Sequence, residues 1–99
     1  MFKVFQTAAF ERWLDGLRDA STRRRLALRI RKASLGHLGD VKPVGQGVFE
    51  MREFFGPGWR MYYVRRGEIL ILMLDGGSTK ATQPRDIERA IALAQMIEE

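Results

Sequence analysis

Cysteine is absent from all 99 residues, so neither a disulfide nor a thiolate metal site can form. Histidine occurs once, at His37, beside glycines in a segment that reads as loop, and no carboxylate or histidine cluster has metal-ligand spacing. No nucleophile motif and no glycine-rich nucleotide fingerprint is present either. Any chemistry is therefore expected to use no metal and no cofactor. No apolar run approaches the roughly 20 residues that span a bilayer, and the chain opens on Phe2-Lys3-Val4-Phe5, which reads as a strand and not as a secretory signal. These absences predict a cytoplasmic protein with no membrane partner. A hydrophobic content of 45% suffices for one core, so residues 1–99 are expected to form a single domain.

What the chain has in excess is positive charge. Lys and Arg number 17 against 12 Asp and Glu, a formal net charge of +5, which suits a polyanionic or acidic partner. Residues 2–5 read as a short strand and Thr7 as the N-cap of a first helix, in which Phe10, Trp13, Leu14 and Leu17 form one apolar stripe. A second helix is expected from Ser21 or Thr22 to about Leu35, with Leu26, Ala27, Ile30 and Ala33 on its apolar side and Gly36 as its stop. The two helices read as a hairpin. Residues 36–47, with their glycines, Asp40 and Pro43, read as a loop.

Strand spacing then takes over. Residues 48–55, 59–65 and 68–75 read as an antiparallel meander, its turns marked by Gly56-Pro57-Gly58 and Arg66-Gly67. The segment 69–74 is apolar on both faces, which predicts a central strand. Pro84 suits the first turn of a last helix, with Ile87, Ala90, Ile91, Ala94 and Ile97 as its buried stripe. Strand, helical hairpin, three strands and helix make an α+β fold, with an antiparallel sheet of about four strands.

Alternation along the strands places candidate side chains on faces. If 56–58 is a three-residue loop, Phe54 lies opposite Arg60 and Arg52 opposite Tyr62, so that Glu50, Arg52, Arg60 and Tyr62 share a face that is expected to be open. Phe49, Met51, Phe55, Trp59, Met61 and Tyr63 then pack on the helices. Two arginines beside a tyrosine can grip a phosphate and stack a base, although the same pattern describes a solvated face with cross-strand ion pairs. The segment 78–83 joins a strand to a helix N-terminus, where backbone N–H groups and Lys80 can meet an anion or merely complete a capping turn. On the second helix Arg23, Arg24, Arg25, Arg29, Arg31 and Lys32 form either an RNA-facing stripe or a solvated face.

Three stretches together resemble a known family: Val48-Phe49-Glu50-Met51-Arg52, Gly56-Pro57-Gly58-Trp59-Arg60-Met61-Tyr62-Tyr63, and Asp75-Gly76-Gly77-Ser78-Thr79-Lys80-Ala81-Thr82-Gln83 leading into Asp86-Ile87. The chain is similar over its whole length to the phage-derived, HigB-like branch of the RelE/ParE toxin superfamily. The resemblance implies a RelE-like fold and a toxin of a type II toxin–antitoxin system, a ribosome-associated mRNA endonuclease that inhibits translation. Its partners would be a cognate antitoxin, of the helix-turn-helix DNA-binding kind, and mRNA on the ribosome, with operator DNA reached only through the antitoxin.

Carried onto this chain, the resemblance makes Arg60, Arg52 and Lys80 the catalytic residues and places Thr82 and Gln83 in the family's turn as RNA contacts; Tyr62 on the strand face and Arg29 and Lys32 on the basic helix complete the expected RNA contacts. Arg52 and Arg60 would stabilise the phosphate during attack by the 2′-hydroxyl, and Lys80 would act as a base or as a further charge clamp. Glu50 departs from the family pattern, where RelE itself is basic, and no C-terminal tyrosine or histidine is present as general acid. Two other classes of function stay open: a ParE-like inhibitor that binds gyrase, and an inactive homologue that only binds its antitoxin.

Overall fold

The computed structural model describes residues 2–67 and 70–97. Strand β1 (Lys3–Gln6) leads into helix α1 (Ala8–Asp15) and helix α2 (Ala20–Ser34). Strands β2 (Val41–Gly45), β3 (Val48–Arg52), β4 (Arg60–Arg66) and β5 (Leu70–Gly77) follow, then helix α3 (Gln83–Met96). The fold is α+β, but the sheet has five strands in the order β1-β5-β4-β3-β2 and is mixed, because β1 runs parallel to β5.

Local chemistry explains most of the boundaries. The Thr7 side chain caps α1 by accepting from Phe10 N at 3.0 Å, and its hydroxyl donates to Leu74 O at 2.7 Å, tying the cap to the sheet. Helix α2 starts earlier than expected, because Asp19 is its cap, accepting from the backbone N–H groups of Ser21 and Thr22. Thr22 is consequently buried inside the helix. Gly36, at φ +96°, ends α2 as the sequence suggests.

The expected loop 36–47 is corrected by β2, which pairs antiparallel with β3. A proline usually argues against a strand, but β2 is an edge strand, where the missing N–H of Pro43 interrupts no ladder on the open side. The last strand of the meander was expected from Glu68; Glu68 and Ile69 lie outside the described residues. Its interior position holds, since β5 lies between β1 and β4.

Alternating residues of the strands feed two separate hydrophobic clusters, one on each side of the sheet. Met51, Met61, Tyr63 and Met73 pack with Phe10 of α1 and Leu26, Ile30 and Ala33 of α2. Val48, Tyr62, Val64 and Leu74 pack with Ala90 of α3, flanked by Ile87 and Ile91. The face that carries Tyr62 is thus covered, not open. Helix α3 brings an apolar stripe of its own, and with α1 and α2 on the first face the second is the one left for it. Ala27, expected in the α2 stripe, is exposed. The buried positions are Thr22, Leu26, Arg29, Ile30 and Ala33, a helical spacing that takes in an arginine.

Candidate functional site

The expected pairing of β3 with β4 is out by two residues, and the expected face is right. Arg52 stands directly opposite Arg60, Glu50 opposite Tyr62 and Met51 opposite Met61. The longer connection, residues 53–59, absorbs the difference; a shift of two leaves every side chain on its own face, whereas a shift of one would have separated the arginines. The connection is held at both ends. Glu53 N donates to Trp59 O at 2.9 Å, Gly56 and Gly58 take positive φ, the Arg25 guanidinium lies 3.7 Å over the Phe55 ring, and Trp59 meets Trp13 edge-on.

Between this turn and the segment before α3 lies a cavity of about 490 Å³, lined by Arg52, Arg60 and Lys80 together with residues of the turn. The three expected catalytic residues therefore come together from β3, β4 and the β5–α3 connection. Two of the three, Arg52 and Arg60, face carboxylates. Arg52 makes a bidentate pair with Asp40, Nε to Oδ2 at 3.0 Å and Nη2 to Oδ1 at 3.2 Å, and that carboxylate holds the guanidinium pKa above its ordinary value. Arg60 donates to Gly58 O at 3.2 Å and has the fully buried Glu50 carboxylate 3.8 Å from its Nε. Lys80 is exposed and, among the described residues, has no ion-pair partner.

The five expected RNA contacts are placed differently. Tyr62 is completely buried under α3, so its ring offers no platform to a base. Burial, and then the Glu50 carboxylate, push its phenol above the ordinary value, which keeps it neutral. Gln83 Nε2 donates to Glu50 Oε2 at 2.8 Å and orients the carboxylate that faces Arg60. Thr82 is spent on its own turn, with its N–H on Thr79 Oγ1 and its hydroxyl on Asp86 Oδ2, while Gln83 N is used by Lys80 O. These N–H groups and the Thr82 hydroxyl are thus already bonded within the chain, although Thr82 makes no side-chain cap on α3.

Arg29 is a structural residue. Its guanidinium is buried and donates to Leu38 O, Asp40 O and Arg52 O at 2.8–3.2 Å, with Glu53 3.4 Å away. It fixes the backbone of both members of the Arg52–Asp40 pair. Lys32 is exposed on α2 and lines a second cleft with Arg25, Leu28, Arg29 and Glu53, the last of which also borders the first cavity.

Two groups escaped the reading from sequence. A buried acidic set, Glu50, Asp75 and Asp86, lies between the sheet and α3, and Arg89 pairs with both aspartates. Asp75 reaches α3 because the β4–β5 register shifts between Tyr62 and Tyr63, which turns the end of β5 toward that helix. Burial pushes the Asp75 carboxyl up, Arg89 pulls it back and Asp86 adds to the rise. The alternation of Val48, Glu50, Tyr62 and Val64 on one face, together with the unassigned stripe of α3, was the signal available for this. The second group is Phe54, 80% exposed at the cavity. Among the described residues no set of three His, Cys, Asp or Glu could hold a metal ion, and no helix is long and apolar enough to cross a membrane.

No family model matches the chain. An uncharacterized protein of Haemophilus influenzae is 37% identical over 93 residues, which cover 94% of this chain and 93% of that protein. The chain belongs to that protein's family.

Proposed function

We propose that this protein is a RelE/HigB-like toxin of a type II toxin–antitoxin system, a metal-independent mRNA endonuclease that works on the ribosome in the cytoplasm. Its partners are then mRNA and a cognate helix-turn-helix antitoxin, with operator DNA bound only through the antitoxin. A RelE-like fold is part of the proposal, and the order of strand, two helices, strands and last helix is compatible with it. The observation that carries the reading is the meeting of Arg52, Arg60 and Lys80 on one cavity, from three separate elements.

Three cations on one cleft suit a phosphodiester. In the proposed reaction the 2′-oxygen attacks its own phosphorus, the bond to the 5′-oxygen breaks, and a 2′,3′-cyclic phosphate and a 5′-hydroxyl result. One proton leaves the 2′-oxygen and one reaches the 5′-oxygen. Arg52 and Arg60 balance the charge that grows on the phosphoryl oxygens, the larger part of the barrier for such a step. Lys80 supplies the charge that is already free. RNA entering the site exchanges with Asp40 for Arg52, while Gln83 holds Glu50 in place behind Arg60. Ribosomal RNA would complete the orientation of a site that is itself chiefly charge.

The carboxylates facing both arginines favour one other reading, an inactive homologue that only binds its antitoxin. Expression of the wild type, Lys80→Ala and Arg60→Lys, with messenger 5′ ends mapped and protein and DNA synthesis pulse-labelled, separates the possibilities. New 5′ ends with a fall in protein synthesis, both lost in folded Lys80→Ala, support the nuclease. Loss of DNA synthesis first points to gyrase, and unimpaired growth points to the inactive homologue.

A further inference from the structure

Phe54 and Phe55 are neighbours in the sequence with opposite fates. Phe55 is held under the Arg25 guanidinium, packed against the core beside Trp59. Phe54 is 80% exposed, and among the described residues no ring or cation stacks on it. A single exposed phenylalanine is unremarkable on an arbitrary surface. This one lines the same cavity as Arg52, Arg60 and Lys80. Its backbone is also fixed, because Glu53 N bonds Trp59 O on one side and Gly58 N bonds Phe55 O at 3.2 Å on the other.

We infer that Phe54 is the base-stacking platform of the site, receiving an unpaired base of single-stranded RNA whose phosphate lies among the three cations. The inference rests on the RNA reading above and supplies what Tyr62, being buried, does not. An aromatic ring set beside a cationic groove is how single strands are held without regard to sequence: the charge takes the backbone and the ring takes the π-face that every base has. With the backbone of the turn already held, binding has only the side-chain torsions of the ring left to fix.

The test is binding of a short single-stranded 2′-fluoro RNA, which lacks the attacking hydroxyl, followed by anisotropy with full-length protein. Phe54→Ala should weaken binding about 5- to 150-fold, the range that loss of one base–aromatic stack produces. Phe54→Trp should restore it, and Phe54→Leu, which is apolar but has no aromatic face, should not. An oligonucleotide made abasic throughout should bind the wild type weakly and be indifferent to Phe54→Ala. Unchanged binding of Phe54→Ala, with Lys80→Ala weakened, overturns the stacking role and leaves the RNA reading standing. If wild type does not bind the oligonucleotide, the stacking inference falls, while the RNA reading is decided separately by the mapped messenger 5′ ends. Full rescue by Leu, or a Phe54→Ala defect confined to antitoxin binding, makes the ring a protein contact and overturns the inference as well.

Discussion

Arg29 offers the sharpest check of the structural reasoning, because the sequence suggests an RNA contact and the fold makes it a brace. Arg29→Met keeps the apolar stem and removes the guanidinium. Three carbonyls, on Leu38, Asp40 and Arg52, lose a charged donor, and Glu53 loses its neighbour at 3.4 Å. A hydrogen bond to a charged group contributes about 1.5–3 kcal/mol. Water can reach these part-buried carbonyls, so the lower figure applies to each, and a total of about 4.5 kcal/mol follows from the same scale. That is a large fraction of the roughly 5–15 kcal/mol that holds a domain together. For a chain of this length it lowers the melting temperature by roughly 18–36 °C. Urea and thermal unfolding followed by circular dichroism measure it directly. A variant within about 1 kcal/mol of the parent would refute the brace, since that is the worth of a single ordinary hydrogen bond. On the proposed function, a stable variant that had lost the growth inhibition expected of the parent would make Arg29 an RNA contact after all.

Tyr62 gives an expectation about pH. Its folded-state pKa is raised by burial and by Glu50, so its contribution to stability is full below the unfolded value near ~10 and declines as pH rises above it. Urea midpoints between pH 8 and 11 should fall less in Tyr62→Phe than in the parent, the remaining fall coming from Tyr63, whose phenol is also raised by burial; an unchanged slope argues against it. Gly76→Ala would set a methyl 2.5 Å from the Trp13 indole and should cost about 1–3 kcal/mol by overpacking, whereas a melting temperature equal to the parent's would mean that the contact is not tight. Asp40→Asn should free Arg52 for phosphate and strengthen oligonucleotide binding, with a steeper dependence on salt; weaker binding would show that Asp40 positions Arg52 and does not compete for it.

Much of the layout was legible because it is set by local rules. The Thr7 cap, the Gly36 stop, the two glycines of the 56–58 turn and the apolar period of each helix act over a few residues. The shared face of Arg52 and Arg60 follows from the period of two along a strand, and it survived an error of two in the register for the same reason. Strand β2 was missed because its Pro43 and flanking glycines speak for a loop, and only an edge position tolerates them.

Exposure was the part that no local rule contains. Arg29 sits at a buried spacing with Leu26 and Ala33, which was readable, yet what makes burial bearable is three carbonyls from residues 38, 40 and 52, brought there by the folding of distant segments. Likewise the sequence determined that Glu50, Arg60 and Tyr62 share a face, while the docking of α3 decided that Glu50 and Tyr62 are buried there and Arg60 stays at the cavity. Charge and periodicity are properties of a chain segment. Whether a charge meets water, a carboxylate or a ligand depends on which segment lies across from it, and that is settled only when the layers pack.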